Sequence, residues 1–211
     1  MCGHIVAMWK TKQLGDENMA KQAKLLTDLE RKRLAAVIAS KRHAVRNHTL
    51  VALSFYAGLR SCEMSNLRVE NVYDETGAVR DTIYLDASQT KGAEGNTVMV
   101  NKRLRQQLQR YAAAYPKHVA NPTRKLLYSA KRNGFTPQTI VNLFQNLYKA
   151  AGICGASSHS GRRQFITELA DKGVSARLVQ AAARHKSLAV TMLYIDVNEN
   201  KLRAAVELVN Y

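Results

Sequence analysis

Cysteine is scarce in this 211-residue chain: Cys2, Cys62 and Cys154 are all there is. An odd set with no metal-type spacing gives no disulfide framework and points to reduced thiols in a cytosol. No apolar run is long enough to span a bilayer, and the patch from Ile5 to Trp9 is too short for the core of a secretory signal. A glycine-rich phosphate loop and a His-Glu zinc helix are both missing, so neither phosphate-loop nor zinc-hydrolase chemistry has a foothold. Acidic residues number only 16, and few lie near the histidines, which disfavours a carboxylate-held metal. Internal repeats and low-complexity linkers are absent as well.

What the chain does have is base. Lysine and arginine total 32, for a formal net charge of +16. A surplus of that size favours a polyanionic partner, and nucleic acid is the first candidate. An anionic membrane surface is the second, but no helix pairs an all-basic polar face with a large apolar one. With 46% hydrophobic residues the chain can bury a real core, and its length suits one domain or two small ones.

Residues 1–22 read as a poorly patterned leader, and 23–211 as a single domain. Thr27-Asp28-Leu29-Glu30 matches a helix capping box, and the helix it opens carries Leu34, Val37 and Ile38 on one face. A second helix runs from about His43 to Ala57 and stops at Gly58, and Ser61 can cap a short third helix to Leu67. Thr82–Leu85 and Thr97–Val100 favour strands around the glycine-marked turn Lys91–Asn96, so a β-hairpin is expected. Leu104, Leu108, Tyr111 and Tyr115 then recur at helical spacing, ended by Pro116. Pro137 opens a helix with the face Ile140, Phe144, Leu147 and Ala151. Further helices are expected over Gly161–Asp171, after the cap Ser175, over Ser187–Tyr194, and along the stripe Leu202, Ala205, Val206, Val209. Such a terminal stripe either packs on its own core or docks on a neighbouring subunit. The expected fold class is mostly α with a small antiparallel β-sheet.

The chemistry gathers late in the chain, in His159-Ser160-Gly161-Arg162, then His185, then Tyr194. Cleaving a phosphodiester with a side chain needs a nucleophile, cations on the nonbridging oxygens and a proton donor for the leaving oxygen. Arginine suits the second task, because its planar guanidinium meets two phosphate oxygens at once and stays charged. Arg60 and Arg162 both fall at predicted helix starts, where free backbone N–H groups already favour an anion. The spacing His-x-x-Arg is weak alone: His43-Ala44-Val45-Arg46 repeats it inside a predicted helix, with no nucleophile following at short range. That copy reads as a solvated helix face.

Taken together these pieces resemble the catalytic domain of the tyrosine recombinases, the phage integrase family. The resemblance rests on Tyr56-Ala57-Gly58-Leu59-Arg60-Ser61-Cys62-Glu63-Met64-Ser65-Asn66-Leu67, on Thr90-Lys91-Gly92, on His159-Ser160-Gly161-Arg162, and on His185-Lys186-Ser187-Leu188-Ala189-Val190-Thr191-Met192-Leu193-Tyr194. It implies that Tyr194 attacks the scissile phosphate and forms a 3′-phosphotyrosyl link, freeing a 5′-hydroxyl. Arg60 and Arg162 would hold the nonbridging oxygens, and Lys91 would protonate the departing 5′ oxygen. His159 would assist proton transfer, His185 would hydrogen-bond the phosphate, and Glu63 would orient the arginine side. No cofactor and no metal is implied, because the covalent link conserves the phosphodiester energy. The implied partners are double-stranded DNA and further copies of the chain, as a tetramer on paired sites, with no membrane. The expected setting is the cytoplasm of a bacterial or phage system. The short invertase-type members, without a separate N-terminal core-binding domain, are the expected kin. A type IB topoisomerase-like relaxing enzyme and a catalytically silent DNA-binding module of the same fold are the alternatives. One position departs from the family pattern: Arg184 stands where a glycine commonly precedes the second histidine.

Overall fold

The computed structural model describes residues 22–87, 95–130, 134–195 and 199–209. Lys91 lies outside the described residues.

Helix α1 (Asp28–Ala39) begins where the capping box places it. The Thr27 hydroxyl accepts the Glu30 N–H at 3.3 Å, and the Glu30 carboxylate accepts the Thr27 N–H at 3.0 Å. Leu34 and Ile38 turn inward. Helix α2 (Ala44–Ala57) ends at Gly58, whose φ of 59° is the left-handed conformation that glycine reaches without steric cost. Helix α3 (Ser61–Asn66) starts at its expected cap, one residue early: Arg60, not Ser61, is the N-cap. The capping is done by Glu63, which accepts the Arg60 N–H at 2.8 Å.

The two expected strands pair, the second one residue earlier than its pattern suggests, and residues 88–94 of the turn between them lie outside the described residues. Strands β1 (Thr82–Leu85) and β2 (Asn96–Met99) pair antiparallel with Ile83 opposite Val98. Those two side chains are buried while Tyr84 and Met99 stay exposed, the alternation a one-sided sheet demands. Helix α4 (Lys102–Ala114) buries Leu104, Leu108 and Tyr111. Pro116 interrupts this helix but then opens a single-turn helix, α5 (Pro116–Val119), since a first helical residue needs no N–H. Helix α6 (Pro137–Ala150) buries Ile140, Phe144 and Leu147. The chain continues through α7 (Ser160–Asp171), α8 (Ala176–Ala183), α9 (Leu188–Met192) and α10 (Glu199–Val206). The class is therefore mostly α with a two-stranded antiparallel sheet. Among the described residues, no helix is long and apolar enough to cross a membrane.

Burial divides into two clusters of very different size. The large core runs from Leu26 to Ile153 and unites α1 to α4, the hairpin and α6. The small one holds Ile166, Val179 and Ala183, with Phe165, Leu169, Val174 and Tyr194 packed around them. Helix α7 joins the two, packing on α2 on one side and α8 on the other. Arg31 of α1 also reaches Glu168 of α7 at 2.7 Å. Helix α10 belongs to neither cluster. Its Leu202 and Val206 are 60% and 63% exposed, so the terminal stripe does not pack on this chain's own core.

Candidate active site

Three turns meet where the two cores touch: the α2–α3 turn with Arg60, the start of α7 with His159 and Arg162, and the α8–α9 turn with His185. Glycines make the approach possible. A Cβ on Gly161 would stand 2.3 Å from Ser54 Oγ and 2.6 Å from the Phe55 ring, so α7 could not lie this close to α2. A Cβ on Gly58 would strike Phe165 at 2.7 Å.

Arg162 is 6% exposed and held by backbone. Its guanidinium donates to Gly58 O at 2.6 Å and to Ala183 O, fixing its plane between the two cores. Burial, with Arg60 and Arg184 nearby, brings it down to about 9; it remains charged at neutral pH. Arg60 is half-buried and paired with Glu63 at 2.8 Å. The Glu63 side chain is 1% exposed and also meets Arg184 at 3.1 Å. Burial alone would raise the Glu63 carboxyl, but Arg184, the Arg60 N–H and the charges of Arg60 and Arg162 hold it below its ordinary range. At and beneath the floor, the guanidinium groups of Arg60, Arg162 and Arg184 thus gather around one buried carboxylate, that of Glu63.

His185 and Tyr194 stand over this floor. Their rings stack with centroids 5.7 Å apart at an interplanar angle of 29°. The Nδ1 of His185 hydrogen-bonds Thr191 Oγ1 at 3.0 Å. Burial, then the charges of Arg162, Arg60 and Arg184, push His185 down to about 4, so the ring is neutral at neutral pH. Arg60, His159, Arg162, Arg163, His185, Val190 and Tyr194 line one cleft of about 260 Å³, closed on one side by Gln22 and Ala23. Arg163 secures that side, donating to Ala23 O at 2.5 Å. A larger groove of about 810 Å³ crosses α2 between α1 and α4, but it lacks the buried arginine set.

Of the expected site residues, Arg60, His159, Arg162, His185 and Tyr194 are brought together, with Glu63 beneath them. Lys91 lies outside the described residues. Two contributors were not legible as such. Thr191 is fully buried and reads as an ordinary helical threonine. Arg163 is one more base in a basic chain. The His-x-x-Arg that begins at His43 is no solvated face: Arg46 lies 5.0 Å over the Phe135 ring and donates to Asn47 Oδ1 at 2.9 Å.

Known proteins resemble this chain in sequence and in fold. Residues 24–201 match the model of the phage integrase family. Tyrosine recombinase XerA of Pyrococcus furiosus is 27% identical over 89% of this chain and 62% of its own length. The chain thus spans about three fifths of that relative. The crystal structure of a XerA recombinase superposes with a TM-score of 0.70 and 26% identity, over 90% of this chain and 67% of that one. The Tn1549 transposon integrase, solved in complex with a circular intermediate DNA, shares the fold at 17% identity and a TM-score of 0.68, covering 90% of this chain and 67% of its own. With residues 24–201 matching its model, and with a tyrosine, two histidines and three arginines gathered in one cleft, the chain belongs to the phage integrase family.

Proposed function

We propose that the protein is a site-specific DNA recombinase that cuts and rejoins strands through a 3′-phosphotyrosyl intermediate, with residues 23–211 as its catalytic domain. One observation carries the reading: the cleft floor holds an excess of buried positive charge. Burying cations without counter-charge is costly, so a cleft built this way is completed by an anion. A nonbridging phosphate oxygen pair matches the guanidinium geometry.

In this reading Arg60 and Arg162 hold the scissile phosphate. The Tyr194 hydroxyl oxygen attacks phosphorus, the bond to the 5′ oxygen breaks, and Lys91 delivers a proton to that oxygen. His159 assists removal of the tyrosine proton. With Thr191 donating to Nδ1, neutral His185 carries its proton on Nε2 and donates to the phosphate. Glu63 keeps Arg60 in place. The fixed cations stabilise charge as it develops, with no reorganisation at the moment of reaction. The exposed stripe of α10 supports docking on another copy, and a tetramer on two DNA sites is the assembly proposed. The free thiols of Cys62 and Cys154 suit a cytoplasmic setting.

The test uses duplexes selected from a random library by the protein itself, each nicked to trap the intermediate. A covalent protein–DNA band that vanishes in Tyr194→Phe is expected, while duplex affinity is retained. Binding without any covalent band would leave a silent DNA-binding module. Relaxation of any supercoiled plasmid by a monomer would favour the topoisomerase-like reading.

A further inference from the structure

Arg184 is the only non-glycine residue with positive φ among the described residues, at φ 55° and ψ 47°. It ends α8 in a left-handed turn: its N–H reaches Ala181 O at 3.0 Å, and the His185 N–H reaches Gln180 O at 3.1 Å. Glycine is the usual occupant of such a turn because a Cβ is disfavoured there. The arginine side chain is 3% exposed. Its Nη1 donates to Ala57 O and Ala182 O, both at 3.2 Å. Its Nη2 donates to Gly58 O at 2.9 Å and Glu63 Oε2 at 3.1 Å. Arg184 does not line the cleft.

The placement matters because the segment it ends is weakly anchored. Helix α9 packs on α8 and α8 on α7, around a core of three buried apolar side chains among the described residues. That segment carries His185 and Tyr194, whereas Arg60 sits on the large core. We propose that Arg184 is a positioning residue, a latch that fixes the His185–Tyr194 segment against the Arg60 turn through Glu63 and the Ala57 and Gly58 carbonyls. Nucleophile and phosphate-holding arginine are thereby held in one frame. The functional half of this inference rests on the recombinase reading; the structural half does not.

The variants are R184G and R184K in the full chain. Glycine suits the left-handed turn, so R184G keeps the fold while deleting every latch bond. Amide hydrogen exchange in 183–195 is expected to quicken about tenfold or more relative to 44–57, the loss of well-placed bonds to a charged group. Single-turnover cleavage of the selected nicked duplexes should fall about tenfold, with duplex affinity within about twofold of the parent. R184K, which can meet Glu63 but not the carbonyls at the same time, should recover part of the rate. Unchanged exchange in 183–195 overturns the latch, and so does an affinity loss equal to the rate loss, which would make Arg184 a DNA contact. If R184G does not fold, R184N is read by the same criteria, since asparagine also tolerates this turn. A wild-type protein that never forms the covalent band sinks the recombinase reading, while the exchange comparison still decides the latch.

Discussion

The two His-x-x-Arg segments are identical in spacing and opposite in use. In the first, His43 precedes α2 and Arg46 lies over the Phe135 ring, its N–H groups taken up by the Asn47 amide oxygen. In the second, His159 precedes α7 and Arg162 is clamped by two carbonyls contributed from other turns. Both histidines stand at the start of a helix. What differs is what faces the arginine. Arg46 meets an aromatic ring and a neutral amide, a setting that asks for nothing more. Arg162 meets two further guanidinium groups with Glu63 as their buried counter-charge, a setting short of negative charge. Spacing along a helix supplies reach; the surrounding elements supply function.

The sharpest way to break this comparison is to remove the arginines in turn. Arg162→Ala should slow formation of the covalent intermediate by about 10²–10³-fold, the usual cost of losing one preorganised donor to a developing oxyanion. Arg162→Lys should recover little, since an ammonium cannot span Gly58 O and Ala183 O while facing a phosphate. Single-turnover trapping on nicked duplex measures both. A rate within about threefold of the parent for Arg162→Ala would remove the second motif from the chemistry.

A smaller effect separates the two settings by pH. Glu63 titrates; Asn47 does not. The folded-state pKa of Glu63 is lowered from its ordinary 4.5, so its stabilisation is present above that value and is lost as pH falls through the depressed folded value. Glu63→Gln should therefore cost about 3 kcal/mol at pH 7, the penalty for stripping a buried ion pair of one partner. The gap to the parent should close as pH drops below about 4.5. Denaturant unfolding at pH 7 and at pH 4 gives the two gaps. A gap that does not shrink would mean that Glu63 acts by shape rather than charge.

How much of this was written in the sequence follows from how local each feature is. The α1 capping box joins residues three apart, and both hydrogen bonds form as read. The stop at Gly58 is equally local. The α3 cap slipped by one residue because a serine is a good cap wherever it falls, while the Glu63 carboxylate decided which N–H was taken. Glu63 was legible as a supporting residue, but its bond to Arg184 crosses most of the chain, and no local pattern encodes it. Arg184 announced itself only as an oddity beside His185; that it would fold inward depended on carbonyls left open by α2. Thr191 gave no signal at all, since a threonine in a helix becomes a histidine's partner only when another turn delivers the ring. The stripe on α10 was legible by period, yet period does not say what covers it.

The smallest effect is the most discriminating for the comparison itself. Arg46→Ala removes a cation from the Phe135 face and should cost about 0.5–1 kcal/mol of stability. For a chain of this size that lowers Tm by about 2–4 °C. Cleavage of nicked duplex should be unchanged, because Arg46 neither lines the cleft nor touches a residue that does. Thermal unfolding and single-turnover cleavage on the same preparation settle it. The informative failure is a stable Arg46→Ala protein whose cleavage falls as far as that of Arg162→Ala. In that case the first motif would also act on DNA, and the division between a packing arginine and a phosphate-holding arginine would have to be drawn by something other than the charge that surrounds them.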